Sequence, residues 1–574
     1  MRKLDTLGTV HETDVLIIGS GIAGLAAAIT TKERSSAARV LVVDKNFSGW
    51  AGQANKGAGM FMFLGPDDPV DRFLDYHTRK IGMFLEDQQL LGEFAAESQA
   101  TIEKLDSWCR TFCRNADGSL AADTFKPGLP WHLAAAEHDT QMKVQRHAKR
   151  LGVEFLDKTM VVDVLKQDGR AAGAIGFSLL DGSCHLFQAR AVILATGGQN
   201  YRILSMWSAA RGDGIAAAYR AGAQMRNAEF GSFMQLVHKR SKEPLLGAED
   251  ALYNAKGEFL STWRRELEPD VDPMAAAVWY REMLAGNGPL FTHNEENWLL
   301  QHTTKTHAEK GAYGDVAPGP WDRPKAEAFW GKLRSKTAAV DGLDAVSEVF
   351  PALSGELSPV KVDHRMETTV PGLYAVGNTA TSGSAMAGAV PASPGRVRGK
   401  ALTSSTWMGI RAGAAVGGYV TERPVGLPDA DKAAVLKEEI FAPLQRAPGL
   451  QPIELVREVQ AAVAPVGYSI YKHRERMEEA LGLVLAARDR IPELAAGDPH
   501  HLAAVHEARA MVLCAEMFYR ASLAREESRG WHLREDYPQR DDAAWLKWMM
   551  LEDREGQMHL STEDVPVRDY PFRP

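Results

Sequence analysis

The segment that most constrains this chain is HETDVLIIGSGIAGLAAAITTKERSSAARVLVVD, residues 11–44. An apolar run, Val15 to Ile18, ends in Gly19-Ser20-Gly21-Ile22-Ala23-Gly24. An Ala-rich stretch follows, and a second apolar run, Val40 to Val43, stops at Asp44. The order is strand, glycine turn, helix, strand, acid. Gly19 permits the tight turn, Gly21 lets a pyrophosphate approach the backbone, and Gly24 lets helix and strand pack closely. The helix N-terminus then faces the phosphate charge. Asp44 follows Gly19 by 25 residues, near the spacing of an acid that bonds a ribose hydroxyl. A lone GxGxxG also occurs as an ordinary glycine turn. With both strands and the acid in place, the segment predicts a bound dinucleotide and an α/β fold.

At 574 residues the chain exceeds a single core, so about two to four domains are expected. A net charge of −8 does not favour nucleic acid or an acidic membrane surface. The first residues, MRKLDTLGTVHETD, lack the apolar core of a signal peptide. No apolar stretch reaches the roughly 18 residues a membrane span needs. The expectation is a cytoplasmic enzyme. Of the cysteines Cys109, Cys113, Cys184 and Cys514, only the first two are close, in WCRTFC. An iron–sulfur cluster usually takes four thiolates. If single electrons pass onward, their acceptor cluster is expected on another chain.

Further along, Ala191 to Leu194 runs into Ala195-Thr196-Gly197-Gly198, a buried strand entering a small-residue turn. Two stretches of β character precede it, Val161–Leu165 and Ala174–Phe177, joined by the turn QDGR. Arg211-Gly212-Asp213-Gly214 opens a helix. Residues 231–350 change character and read as an inserted domain. Alternation returns at Val360–Asp363 and in VPGLYAVGN, residues 370–378. Residues 379–399 are rich in Gly, Ser and Ala, which suits close approach of backbone to a ligand. From about residue 430 the pattern is helical, with Asp498-Pro499 as N-cap and first helical residue.

Taken in order, GSGIAG, LVVDK, ILATGG, RGDGI, VPGLYAVGN and ESRGWHLREDYPQRDD resemble the succinate dehydrogenase/fumarate reductase flavoprotein superfamily. The resemblance implies a split FAD-binding Rossmann-type domain (1–230 and 351–425), an inserted capping domain (231–350) and a C-terminal helical domain (426–574). It implies FAD contacts from Gly19, Ser20, Gly21, Ile22, Ala23, Gly24, Asp44, Lys45, Gly52, Gly57, Val162, Ala195, Thr196, Gly197, Asp213, Gly377 and Asn378. Ala401 and Leu402 would approach the isoalloxazine through backbone groups. The family's covalent attachment histidine would fall near Gly52 in SGWAGQANKGAGM, which holds no histidine, so FAD is expected to bind non-covalently.

Two departures set the functional expectation. Met234 stands where the resemblance places a substrate histidine, in Glu229-Phe230-Gly231-Ser232-Phe233-Met234. Leu246 stands where it places an arginine acid/base. Neither side chain donates a proton or grips a carboxylate. The expectation is therefore hydride transfer between flavin N5 and a small organic substrate, not succinate or fumarate, with an anionic or carbonyl group and an apolar body. Arg396, reached by counting back from Gly409, would orient it, and His238 would serve as acid/base. The spacing of 18 from Asn378 to Arg396, and the segments MRNAEF, LLGA and NAKGE, resemble most the α subunit of dissimilatory adenylylsulfate reductase. That resemblance implies a ferredoxin-like iron–sulfur partner subunit. The alternatives are a sulfur-compound reductase of that kind and a flavin electron-transfer subunit. His364 and Arg365 read as a surface turn. His532 and Arg534 read as a salt-bridge network at a domain junction.

Overall fold

The computed structural model describes residues 3–50, 52–55, 59–112, 131–137, 139–203, 210–240, 248–260, 273–293, 346–355, 357–380, 400–420, 424–446 and 448–574, with a few positions between 113 and 130. Strand β1 (Val15–Ile18) leads through the glycine turn into helix α1 (Ile22–Arg34) and strand β2 (Val40–Val43). Strand β3 (Glu154–Leu156) joins much later, and strand β4 (Ala191–Leu194) later still. Helix α2 (Asp213–Arg220) follows, then strands β5 (Ser232–His238) and β6 (Val346–Gly355). Strand β7 (Leu373–Ala375), helix α3 (Lys400–Val420) and helix α4 (Pro499–Ala524) complete the elements that position the site.

The organising sheet is parallel, in the order β7-β4-β1-β2-β3. β1, β2 and β4 are unbroken apolar runs, buried at every position. That is the composition of strands covered on both faces. Helix α3 lies against α1 because small residues let the backbones meet. A Cβ on Gly409 would stand 2.2 Å from the Ala23 carbonyl oxygen, and one on Gly413 2.5 Å from that of Ala27. Both contacts advance together along the two helices, so α1 and α3 run parallel.

Outside this sheet, Thr159–Gln167, Arg170–Ser178 and Cys184–Gln188 form an antiparallel meander, with Thr9–Glu12 added in parallel at its edge. The inserted region builds an antiparallel sheet of β5, β6, Leu290–His293 and Leu252–Tyr253. The C-terminal region is mostly helical, and Asp498 caps α4 by accepting from the His501 amide at 2.8 Å. It closes on a feature absent from the sequence reading, a hairpin of Lys547–Arg554 and Gln557–Asp564 that pairs with Met225–Arg226. The segment at Val360–Asp363 forms only isolated bridges rather than a strand. Among the described residues no helix is long and apolar enough to cross a membrane.

Candidate functional site

Because β1, β2, β4 and β7 are parallel, their C-terminal ends share one edge of the sheet, and the crevice beyond that edge is where such folds bind ligands. The glycine turn lies there. Gly19 has φ +105°, and its amide donates to the Val43 carbonyl at 2.8 Å. A Cβ on Gly19 would meet the Ala195 carbonyl oxygen at 2.3 Å, and one on Gly24 the Gly19 carbonyl oxygen at 2.0 Å. Those two glycines are demanded by the protein's own packing. Gly21 is different. Its φ of −65° suits any residue, and a Cβ there would meet nothing within 4 Å. The space above Gly21 is what a pyrophosphate requires at the N-terminus of α1.

Asp44 ties the end of β2 to this turn. Its Oδ2 accepts from the Ser20 amide at 2.7 Å and the Ser20 hydroxyl at 2.6 Å, and its Oδ1 from the Asn46 amide at 2.7 Å. Lys45 reaches Asp213 Oδ2, and also Glu507 at 2.8 Å. Burial alone would lower the Lys45 ammonium, but the two carboxylates outweigh it and raise it above the usual lysine range. Asp213 Oδ1 is buried and accepts no hydrogen bond.

The remaining predicted segments converge on the same edge. Gly52, at φ +90°, folds its loop over the turn, so that a Cβ on it would lie 3.6 Å from Gly21 Cα. Asn378 donates to Gln53 at 2.7 Å, joining that loop to Gly377. A Cβ on Gly214 would stand 2.1 Å from Thr196 Oγ1, which seats the Ala195-Thr196-Gly197 turn on the start of α2. The Val162 carbonyl, on the meander, accepts from Arg220 at 2.9 Å. Ala401 precedes Gly409 by eight residues on a helix parallel to α1, so it lies roughly 12 Å beyond Ala23 along the axis, past the glycine turn. Ile22 and Ala23 begin α1 itself. Gly57 lies outside the described residues.

The catalytic candidates divide. Arg396 and Leu246 lie outside the described residues. Met234 is a fully buried residue of β5 opposite Leu353. His238 ends that strand opposite Val349, on the same face as Met234 by alternation and roughly 13 Å farther along. Cys109 ends the helix Gln88–Cys109, where burial pushes its thiol up to about 12, and Cys113 lies outside the described residues. His364 is in a turn, as expected, but bonds Glu93 at 2.9 Å. Among the described residues no three His, Cys, Asp or Glu side chains are placed to hold a metal.

His532 and Arg534 belong to a buried charge network where α4, the cap and the C-terminal hairpin meet. His532 Nδ1 lies 3.0 Å from Lys472 Nζ, and its Nε2 lies 3.1 Å from the Arg525 carbonyl. Arg534 binds Asp536 through both prongs, at 2.7 and 2.6 Å. Arg525 Nε donates to Glu229 at 2.6 Å and Nη1 to Glu527 at 2.9 Å. Sequence reasoning missed Glu229, Lys472, Arg525 and Glu507. Each is charged and buried or nearly so, yet nothing in the sequence marks which charges are paired.

Residues 14–246 match the FAD binding domain family, and residues 461–574 match the fumarate reductase flavoprotein C-terminal family. A subunit of the CoM/CoB fumarate reductase of Methanothermobacter marburgensis is 26% identical, over 92% of this chain and 95% of that one. A solved chain of E. coli quinol fumarate reductase superposes with a TM-score of 0.80 at 21% identity, covering 98% of each chain. Adenylylsulfate reductase of Archaeoglobus fulgidus gives a TM-score of 0.77 at 21% identity, covering 98% of this chain and 97% of the other. The fold is therefore at least as near to fumarate reductase as to the adenylylsulfate enzyme. The expectation of a substrate other than succinate or fumarate is overturned by these matches, which run nearly end to end with fumarate reductase flavoproteins. It rested on Met234 and Leu246 alone, one buried in the core of a strand and the other outside the described residues.

Proposed function

We propose that this chain, an FAD-dependent oxidoreductase of the succinate dehydrogenase/fumarate reductase flavoprotein superfamily, is the flavoprotein component of an enzyme interconverting fumarate and succinate. The observation that carries the reading is the likeness to a fumarate reductase chain over 92% of this protein and 95% of that one. The FAD cradle at the sheet edge and the cap sheet built on β5 and β6 supply the setting. Bound FAD supplies hydride exchange. The chain's own residues grip and orient the dicarboxylate and manage its proton. A ferredoxin-like iron–sulfur subunit is the electron partner in this reading, since only Cys109 and Cys113 of this chain's four cysteines are close in sequence and a cluster usually takes four thiolates. The comparisons give no preference for the adenylylsulfate branch, so the finer assignment is to the fumarate side.

Arg396 is the residue we assign to the substrate carboxylate, because a guanidinium presents two parallel donors to it. Met234 and Leu246 carry no transferable proton, so proton transfer falls to another group, and His238, the titratable side chain of β5, is our candidate. The test is anaerobic oxidation of a reduced dye by the FAD-loaded protein on adding fumarate, with succinate oxidation as the reverse assay. Turnover on the order of 1–10 s⁻¹ is expected, an ordinary enzymatic rate. No turnover in either direction by a fully flavinated protein would overturn the reading. Arg396→Ala should keep its FAD and lose activity roughly 10²–10³-fold, the usual loss for one charge-stabilising donor. Arg396→Lys should recover little. Full activity in the alanine variant would remove Arg396 from the site.

A further inference from the structure

Glu507 lies on α4, in the C-terminal region, 462 residues from Lys45 along the chain. Its carboxylate nevertheless spans two segments of the FAD cradle. Oε1 accepts from Lys45 Nζ at 2.8 Å, just beyond the end of β2, and Oε2 accepts from Arg211 Nε at 3.1 Å, just before α2. Burial would raise this carboxyl, but Lys45 and Arg211 outweigh it and hold it below its usual range. The charge count shows what Glu507 adds. Lys45 and Arg211 bring two cations to the cluster, and Asp213 alone would leave one of them uncompensated. Glu507 balances the second.

The brace also fixes the pose of Asp213. Lys45 occupies its Oδ2, while Oδ1 stays buried with no hydrogen-bond partner. A buried carboxylate oxygen without a donor is costly, and native structures leave few of them. The adenosine half of FAD carries the donors it lacks, ribose O–H and adenine N–H. A narrow crevice beside Asp213 opens to solvent. Val162 and Asp213 line it from the FAD-binding part, and His506 and Arg509 line it from α4. The C-terminal helix is thus a wall of this cleft.

We propose that Glu507 is a positioning residue for FAD. Through Lys45 it holds Asp213 so that Oδ1 accepts a hydrogen bond from the adenosine half, and cofactor affinity depends on the docking of α4. The inference stands on the FAD cradle and not on the identity of the substrate.

The experiment titrates apoprotein with FAD, following flavin fluorescence, and measures the thermal midpoint of the apoprotein in parallel. Glu507→Gln should weaken FAD binding roughly 10- to 100-fold, the range for a lost charge-assisted hydrogen bond, and should lower the apoprotein midpoint by much less in free-energy terms, because Lys45 keeps Asp213 and the Glu507 site is partly solvated. Glu507→Asp, which keeps the charge but draws it back by one methylene, should fall between that variant and wild type. Lys45→Met removes an expected FAD contact as well as the brace, so it should weaken binding at least as much as Glu507→Gln, and the double variant should bind FAD no worse than Lys45→Met, because Glu507 acts through Lys45. Wild-type affinity in both Glu507 variants overturns the proposal. So does a loss of affinity that tracks an equal loss of apoprotein stability, which would make Glu507 structural only.

Discussion

Gly21→Ala should give a folded protein that purifies colourless. The wild type should be yellow, and acid should release its flavin, since residues 46–60 contain no histidine to tether it. The glycines of the turn separate the two possible consequences of a methyl group. At Gly19 and Gly24 the added carbon would sit 2.3 and 2.0 Å from carbonyl oxygens of the protein itself, so those variants should misfold. At Gly21 the backbone is in an ordinary extended conformation and the carbon meets no protein atom within 4 Å. What it would meet, in the placement we assign to the cofactor, is the pyrophosphate. The alanine variant should therefore keep the apoprotein's thermal midpoint and lose FAD affinity by roughly 10²-fold, the upper end of the cost of forcing a methyl group into occupied space. The checks are the visible flavin spectrum after purification and FAD titration of the apoprotein. A yellow Gly21→Ala protein with normal affinity would mean the cofactor does not cross the turn at this point.

The parts of the site legible in the sequence are those whose partners are close along the chain or fall in a fixed pattern. Gly19, Gly21, Gly24 and Asp44 lie within one strand–helix–strand unit, and the bonds from Ser20 to Asp44 span only 24 residues. The Ala195-Thr196-Gly197 and Gly377-Asn378 turns are legible because buried parallel strands announce themselves as short apolar runs. Glu507 is invisible for the opposite reason. A glutamate on a helix reads as a solvated charge until the fold brings Lys45 to it. The C-terminal hairpin escapes notice although it carries a signal. Glu555 and Gly556, at φ +54° and +78°, supply the two left-handed residues of a tight turn. The charges in KWMMLEDR hide the strand leading into it. The substrate is misread when two positions located by offset are given more weight than the whole chain. Met234 fills the interior of β5, and a side chain on a strand does not reach a substrate merely by standing at a family position.

Removing Arg525 should sharply destabilise the C-terminal region and its junction with the cap. Its guanidinium is fully buried and makes four hydrogen bonds, to Glu229 at 2.6 Å, Glu527 at 2.9 Å, the Trp545 carbonyl at 2.9 Å and the Lys547 carbonyl at 2.7 Å. In Arg525→Met, Glu527 keeps Arg529, which donates to it at 2.7 and 2.8 Å. Glu229 keeps no cation on its carboxylate. Lys472 is already committed, to the Glu229 carbonyl at 3.2 Å, Ser522 at 3.0 Å and His532 at 3.0 Å. Burial already pushes the Glu229 carboxyl upward against the pull of Arg525 and, more weakly, of Lys472, so without Arg525 the charge would keep only the weaker attraction. Breaking a buried pair in this way costs about 3–5 kcal/mol. Because Glu229 stands three residues before β5, the loss should loosen the base of the cap and the entry to the C-terminal hairpin together. Faster amide exchange at residues 229–238 and 545–550, with a lowered thermal midpoint, is the expected result. Arg525→Lys should recover only part, since an ammonium cannot reach four acceptors in the same plane. Pairing Arg525→Met with Glu229→Gln should recover part by another route, by removing the stranded charge. If Arg525→Met unfolds within about 1 kcal/mol of wild type, the cost expected for a minor surface change rather than a broken buried pair, then the network does not hold the cap to the C-terminal region.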